Sequence, residues 1–262
     1  MKTINSKTIV FVTGAFVSHN GWEHWRDFFE SKGYTTYAPA WPQKEGNPEE
    51  LRRKHPLHDR NLADLRYIEV VDHYADFIKG LPEQPIIIGH SLGGLTVQLL
   101  LQRGLAAAAV AIHSVPPQGV FSLEFSFYKS LWNPLGIFSS TKKTYLMSFK
   151  DWQYSFTNGM NYEDQRRAYA ESTIPESRLA LRDPLTSVGK IDFKKPHNPL
   201  LFISGSTDHI MPAPLNYRNF KSYKDAGSIT RYKEFEGHNH YVLGLPSWRE
   251  EADYILDFIE NN

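Results

Sequence analysis

One serine of the chain lies in a setting typical of nucleophilic catalysis. Ser91 is the centre of a Gly-His-Ser-Leu-Gly pentapeptide at 89–93, which follows an apolar run at 85–88 and precedes a helix-like stretch. A tight strand-to-helix turn exposes the serine hydroxyl above the sheet edge, and the flanking glycines remove side chains that would clash. The positive end of the following helix suits an anionic intermediate. The pattern predicts a nucleophile at Ser91; a glycine-rich connection without chemistry is the alternative.

The elements that must position this serine follow an alternating pattern. Short apolar, β-branched runs alternate with amphipathic stretches, which is typical of parallel strands covered by helices on both faces. Residues 115–197 interrupt the pattern and are predicted to be an insertion in a single domain (1–262). Within it, residues 121–162 hold twelve of the thirty-six Phe, Tyr and Trp. The predicted strands are 8–13, 35–39, 85–89, 107–112, 200–204 and 231–235, and the predicted helices are 22–32, 65–79, 92–103 and 248–259.

In this strand-turn-helix context the chain resembles the α/β-hydrolase superfamily, its serine esterases and lipases in particular, over residues 9–259. The resemblance implies an α/β fold with a mostly parallel central sheet that starts near the superfamily's third strand and has helices on both faces. It also implies that residues 115–197 form an aromatic-rich, mainly helical lid. A Ser-Asp-His triad is expected, in the chain order nucleophile, acid, histidine.

The resemblance places the acid after the strand that follows the insertion, and there the chain has Asp208. Capping of the following segment is the other role open to this residue. Two histidines, His238 and His240, follow the last predicted strand. His240, with an apolar residue behind it and Pro246 before the final helix, matches the superfamily better. His238 stays open as the alternate, because only one base can reach Ser91 within about 3 Å.

An oxyanion hole needs two backbone N–H donors, each of which lowers the barrier by about 3 kcal/mol. Leu92, directly after the nucleophile, is expected to supply one. The second is expected from the turn after the first strand, with Ala15 as the main candidate and Phe16 as the alternate. The superfamily often has His-Gly in this turn, whereas this chain has Thr13-Gly14. How the turn is braced therefore differs from the superfamily's pattern.

A second departure follows the second predicted strand, where many relatives have an Asp and a Gly-rich turn. Here a long polar loop holds His55, His58 and Asp59, whose spacing is conceivable for a metal site. No rigid element is predicted to hold all three, so a solvated loop is the preferred interpretation. We expect no metal and no cofactor.

Composition narrows the class of protein further. The 262 residues include 29 basic and 29 acidic side chains, and no basic stripe suits nucleic acid. Cysteine is absent, which excludes thiol chemistry. No apolar run reaches the 18 or so residues that span a bilayer, and residues 9–17 read as a strand and turn rather than a signal peptide. A cytoplasmic location without integral membrane association is expected, and the oligomeric state is left open.

The preferred function is hydrolysis of small to medium esters or lactones that carry an apolar portion, through an acyl-enzyme on Ser91. Cofactor-free peroxidase or lyase chemistry reuses the same triad and is the first alternative. A binding-only member of the fold is another. A nicotinamide oxidoreductase is disfavoured because Ser18 and Asn20 stand where the phosphate turn needs glycine.

Overall fold

A parallel sheet of six strands runs through the computed structural model of the chain, which describes residues 4–225 and 227–262. Every neighbouring pair in the sheet is parallel, and the spatial order is β2-β1-β3-β4-β5-β6. The strands begin and end within two residues of the predicted positions. They are β1 (Thr8–Val12), β2 (Thr35–Tyr37), β3 (Ile86–His90), β4 (Ala108–Ile112), β5 (Leu200–Gly205) and β6 (Thr230–Phe235).

Helices cover both faces of the sheet, so the predicted α/β architecture is confirmed. No described helix is long and apolar enough to cross a membrane. The helices are α1 (Glu23–Ser31), α2 (Pro48–Lys54), α3 (Arg60–Asp64), α4 (Tyr67–Lys79), α5 (Leu92–Gln102), α6 (Phe125–Leu135), α7 (Phe149–Ser155), α8 (Tyr162–Ser172), α9 (Arg178–Arg182), α10 (Ala213–Ser222) and α11 (Trp248–Glu260).

Alternate residues of the buried strands feed two separate cores. On β1, Ile9 points to the core that α1 and α11 complete with Trp25 and Ile255. Its neighbour Val10 points to the other core, which α4 and α5 complete with residues such as Leu95. Successive side chains of a strand face opposite sides of a sheet, so a run such as Ile-Ile-Ile in β3 must be covered on both. This burial fixes the strand ends that carry the candidate site.

Residues 115–197 lie between β4 and β5 and contain α6 to α9. Two isolated antiparallel bridges stabilise this segment. Tyr145 pairs with Glu176 within it, and Thr173 pairs with Val17 in the turn after β1. Its action as a lid stays a prediction.

The polar segment after β2 differs from its sequence prediction. Helices α2 and α3 flank His55 and Asp59, and the expectation of a solvated loop is wrong for Asp59, whose side chain is buried. Thr144 donates a short hydrogen bond to Asp59, and His55 Nδ1 lies 2.5 Å from Thr144 Oγ1. His58 is exposed, so the three residues do not converge on one point.

Candidate active site

Ser91 occupies a strained turn between β3 and α5. Its backbone has φ 58° and ψ −118°, a region that non-glycine residues rarely adopt. The turn is packed so tightly that its glycines have no room for a side chain. A Cβ on Gly89 would lie 2.2 Å from Gly93 O, and a Cβ on Gly93 would lie 2.1 Å from Val12 O. These close approaches explain the two glycines around the serine and hold its hydroxyl at the edge of the sheet.

Two histidines follow β6, and the structure brings one of them to Ser91. His240 Nε2 lies 3.0 Å from Ser91 Oγ, within hydrogen-bond distance. His238 points elsewhere, with its Nδ1 2.7 Å from Glu251 Oε1. The His240 backbone carbonyl lies 3.0 Å from His90 Nε2, and the Phe156 ring packs edge-on against the imidazole at 4.7 Å. His240 is therefore held from three sides.

Asp208 follows β5 and orients the His240 ring. Its Oδ2 lies 2.6 Å from His240 Nδ1, while Oδ1 accepts hydrogen bonds from the backbone N–H groups of Ile210 and Met211. Burial alone would raise the pKa of Asp208, but the positive charge that His240 carries when protonated and hydrogen bonds from His113 and His240 hold it well below its ordinary value. Asp208 is thus an ionised carboxylate that fixes the tautomer with Nε2 facing Ser91.

The electrostatics around His240 favour its neutral form. Burial lowers the pKa of His240, and this effect outweighs the raising effect of Asp208. Burial also lowers the pKa of the neighbouring His90 well below its usual value. A neutral His240 has a lone pair on Nε2 for the Ser91 proton, as a general base requires.

The turn after β1 lies against Ser91. A Cβ on Gly14 would meet His90 O at 2.7 Å and Ser91 Cβ at 2.8 Å. Across the described residues, the N–H groups of Ala15 and Leu92 donate to no protein acceptor. The Phe16 N–H, by contrast, donates to Glu176 Oε2. Of the sequence candidates for oxyanion donors, Ala15 and Leu92 therefore have N–H groups available for a ligand.

Three aromatic residues brace the turn where relatives often have histidine. Thr13 Oγ1 accepts a hydrogen bond from Trp22 Nε1, the Thr13 carbonyl accepts one from Trp41 Nε1, and its N–H donates to the Tyr74 hydroxyl. All three aromatic side chains are buried. The threonine thus keeps the turn fixed through a different set of contacts.

A buried ion pair supports the same turn, and no sequence pattern indicates it. Lys44 contacts Glu176 through a short hydrogen bond, and both side chains are almost fully buried. The Lys44 ammonium also lies 3.8 Å from the centre of the Trp41 ring. Burial lowers the pKa of Lys44, and the charge of Glu176 opposes that shift. The pair links the turn that holds Ala15 and Phe16 to the segment after α8.

Replacement of Glu176 by Gln is expected to lower the free energy of unfolding by about 3 kcal/mol, because it leaves the Lys44 charge buried without its counter-ion. The activity should also fall, since Phe16 loses its anionic acceptor. Urea denaturation measures the first effect. Asp64→Asn is the matched control, because the Arg60–Asp64 pair lies on the surface. Equal stabilities of the two variants would contradict the bracing role.

A small apolar cavity opens above Ser91. Its volume is about 70 Å³, and both candidate oxyanion donors, Ala15 and Leu92, border it. Most of its remaining walls are apolar side chains from the insertion and from the segment after β5: Val115, Pro116, Phe127, Leu131, Pro134, Leu135, Phe156, Leu181, Pro184, Leu185, Ile210 and Met211. A bound apolar group would meet the serine hydroxyl beside the two N–H donors.

The comparison with known families assigns the class. Residues 9–253 match the model of the alpha/beta hydrolase family. The chain therefore belongs to the α/β-hydrolase family, as the resemblance in its sequence implied. No curated protein sequence matches the chain.

Solved structures share the fold at low sequence identity. An extracellular α/β-hydrolase from a Paenibacillus species matches with a TM-score of 0.71 and 18% identity, covering 95% of this chain and 98% of that one. A monoacylglycerol lipase from Paleococcus ferrophilus gives 0.65 and 18%, with coverages of 97% and 94%. A methylesterase from Arabidopsis gives 0.66 and 15%, with coverages of 97% and 99%. These likenesses extend over nearly the whole chain.

Proposed function

We propose that the chain is a serine hydrolase that cleaves carboxylic esters or lactones through an acyl-enzyme on Ser91. The observation that carries this proposal is the continuous contact from Ser91 Oγ to His240 Nε2, at 3.0 Å, and from His240 Nδ1 to Asp208, at 2.6 Å. A serine hydroxyl is a weak nucleophile unless an oriented base takes its proton. Esterases and a lipase among the structural neighbours are consistent with this chemistry.

In the proposed mechanism, Ser91 Oγ attacks the ester carbonyl carbon while His240 takes its proton. The oxyanion that forms is stabilised by the N–H groups of Ala15 and Leu92. His240 then gives the proton to the leaving alcohol, and the acyl group stays on Ser91. A water molecule that His240 deprotonates attacks the acyl-enzyme, the bond to Ser91 Oγ breaks, and His240 returns the proton to Oγ as the acid leaves. Asp208 stabilises the imidazolium in both halves of the cycle.

The apolar cavity favours a small-molecule substrate with an apolar portion beside the ester carbonyl. Of the described residues that border the cavity, none carries a formal charge, so a charged group next to the carbonyl would be desolvated without compensation. Small to medium esters and lactones satisfy this condition. The cytoplasmic location expected from the sequence stays a prediction.

Turnover of short p-nitrophenyl esters tests the proposal. Acetate and butyrate esters should be hydrolysed, and a burst of p-nitrophenol equal to the enzyme concentration is expected where deacylation is slower than acylation. Heat-denatured protein is the control for nonspecific ester cleavage. A complete lack of turnover on a panel of esters and lactones would overturn the proposal.

A further inference from the structure

A second, larger apolar space adjoins the Ser91 cavity. This groove has a volume of about 1170 Å³ and lies between α6 and the segment that follows it. It is lined in part by side chains that are largely exposed: Trp132 (73%), Ile137 (69%) and Phe138 (97%). Large exposed apolar patches mark binding surfaces in soluble proteins.

The groove and the cavity share walls. Phe127, Leu131 and Leu135 recur every four residues along one side of α6 and border both spaces. The residues that line both are Pro116, Phe127, Leu131, Leu135, Pro184 and Leu185. The groove therefore adjoins the space above Ser91 along these apolar side chains.

The polar groups of the groove point to a hydrocarbon occupant. Of the described residues that line it, two are charged, and both are already engaged. Asp151 accepts hydrogen bonds from Ser148 and from Asn133. Arg178 donates to the carbonyl groups at the end of α6 and lies over the Tyr145 ring. A charged or strongly polar ligand would find no free counter-ion among these groups.

We propose that the groove binds the aliphatic chain of an ester whose carbonyl sits at Ser91, so that esters with chains of medium to long length are the preferred substrates. This inference rests on the proposed function, because it assigns the carbonyl to Ser91. It goes beyond that function by naming the chemical class of the substrate and the surface that selects it.

The test compares kcat/KM for esters of different chain length, at concentrations where the esters are dissolved as single molecules. We expect kcat/KM to rise by up to about fourfold per methylene that enters the groove, in p-nitrophenyl acyl esters from acetate to decanoate or in alkyl acetates of matching length. Ile137→Ser should lower kcat/KM for the long chains about tenfold more than it lowers kcat/KM for acetate. Leu123→Ser is the matched control, because Leu123 is similarly exposed but does not line the groove.

The outcomes separate this inference from the proposed function. Hydrolysis of acetate with no gain for longer chains in either series would overturn the groove and leave the hydrolase intact. If no ester is hydrolysed, the binding of decanoate measured by calorimetry still tests the groove. Equal affinity of Ile137→Ser and Leu123→Ser for decanoate would overturn the inference. A shift from dimer to monomer, or from vesicle-bound to free protein, in Ile137→Ser with an unchanged chain-length profile would also overturn it.

A second buried network, separate from the groove, meets the site at Asp208. His113 follows β4, and its Nδ1 lies 2.8 Å from the same Asp208 oxygen that contacts His240. Its Nε2 lies 3.4 Å from Glu251 Oε1, which in turn contacts His238. The side chains of Asp208, His113, His240 and Glu251 have no solvent exposure.

The surroundings give His113 a positive charge. Burial lowers its pKa, but the hydrogen bond to Asp208 and the negative charges of Glu251 and Asp208 raise it to about 9. The other titratable groups that face it are His240 and His90, whose rings are about 6 Å away and whose pKa values burial lowers. His113 is therefore the cation of the cluster at neutral pH.

We propose that His113, which lies between Asp208 and Glu251, is a positioning residue that fixes the Asp208 carboxylate and places a positive charge near His240. Its backbone has φ 46°, which restricts the useful replacements. Asn tolerates this conformation and keeps one N–H donor for Asp208 without the charge. This second inference also rests on the proposed function.

His113→Asn is expected to move the acidic limb of the pH profile of kcat/KM to higher pH. Loss of the nearby positive charge raises the pKa of His240, so the base is protonated at a higher pH. Glu251→Gln should move the limb in the same direction, because it weakens the hold on the His113 proton. Glu250→Gln, a change in the exposed neighbouring carboxylate, is the control and should leave the profile unchanged.

A purely structural role would lower the thermal unfolding midpoint without moving the limb, and that result overturns the inference. Proton NMR gives a readout that does not need activity. A buried imidazolium resonance should persist to about pH 8 and be absent in His113→Asn. If no histidine keeps its charge at that pH, the inference also fails, whether or not the protein hydrolyses esters.

Discussion

Replacement of Ser91 by Ala is expected to lower kcat for p-nitrophenyl acetate by roughly five orders of magnitude. Without Oγ there is no attacking atom, no acyl-enzyme and no proton for His240 to take. The N–H groups of Ala15 and Leu92 remain, so a small residual acceleration over water is expected from them and from binding. The variant should fold normally, because a methyl group fits where the hydroxyl was.

The measurement is steady-state hydrolysis with protein freed of any host esterase by two chromatographic steps. Ser206→Ala is a suitable control, because Ser206 lies near the same sheet edge and bonds the Gly237 N–H rather than the site. Its kcat should stay within about threefold of the unaltered protein. Turnover retained by Ser91→Ala would contradict the proposed nucleophile.

Replacement of His240 by Gln is expected to lower kcat by about four orders of magnitude, because Gln fills a similar volume but cannot take the Ser91 proton. His238→Gln is the matched comparison. Its side chain can still donate a hydrogen bond to Glu251, and it does not contact Ser91. Its kcat should change by less than about tenfold.

The same ester assay at pH 8 compares kcat of the two variants. Unfolding curves of both show whether each variant is folded. A large loss in His238→Gln together with near-normal activity in His240→Gln would contradict the assignment of the base. It would mean that the loop after β6 places His238, not His240, at Ser91 during turnover.

The sheet explains how much of the candidate site could be predicted from the sequence. Ser91, Asp208 and His240 each follow the carboxyl end of a strand, and in a parallel sheet these ends meet at one edge. Four of the strands, β1, β3, β4 and β5, are strongly apolar runs, so their positions in the chain were readable. The choice between His238 and His240 depended on family resemblance alone. The two residues are two positions apart in one loop, and the conformation of that loop decides which ring faces the serine.

Other parts of the site depend on contacts between distant segments. Lys44 and Glu176 are 132 residues apart in the chain, and no local pattern joins them. His113 could have been noticed, because it follows β4, the strand beside the one that ends before Asp208. A histidine at that place carries no motif, however, and its link to Glu251 needs the packing of α11 on the sheet.

Local signals were also missed in the polar segment after β2. Helix α2 begins with Asn47 as its cap, Pro48 in its first position and Glu50 in a capping box, which is a readable start signal. The helix was not predicted because its composition is polar and few of its residues enter the core. The burial of Asp59 depends on Thr144 of the insertion, a partner that the sequence could not indicate.

Labelling with a fluorophosphonate tests whether Ser91 is an activated nucleophile, because the reagent reacts with serine hydroxyls that a neighbouring base activates. We expect one adduct per chain, located by peptide mass spectrometry on Ser91, and its loss in His240→Gln. An unlabelled protein, or an adduct on another residue with Ser91 unmodified, would contradict it.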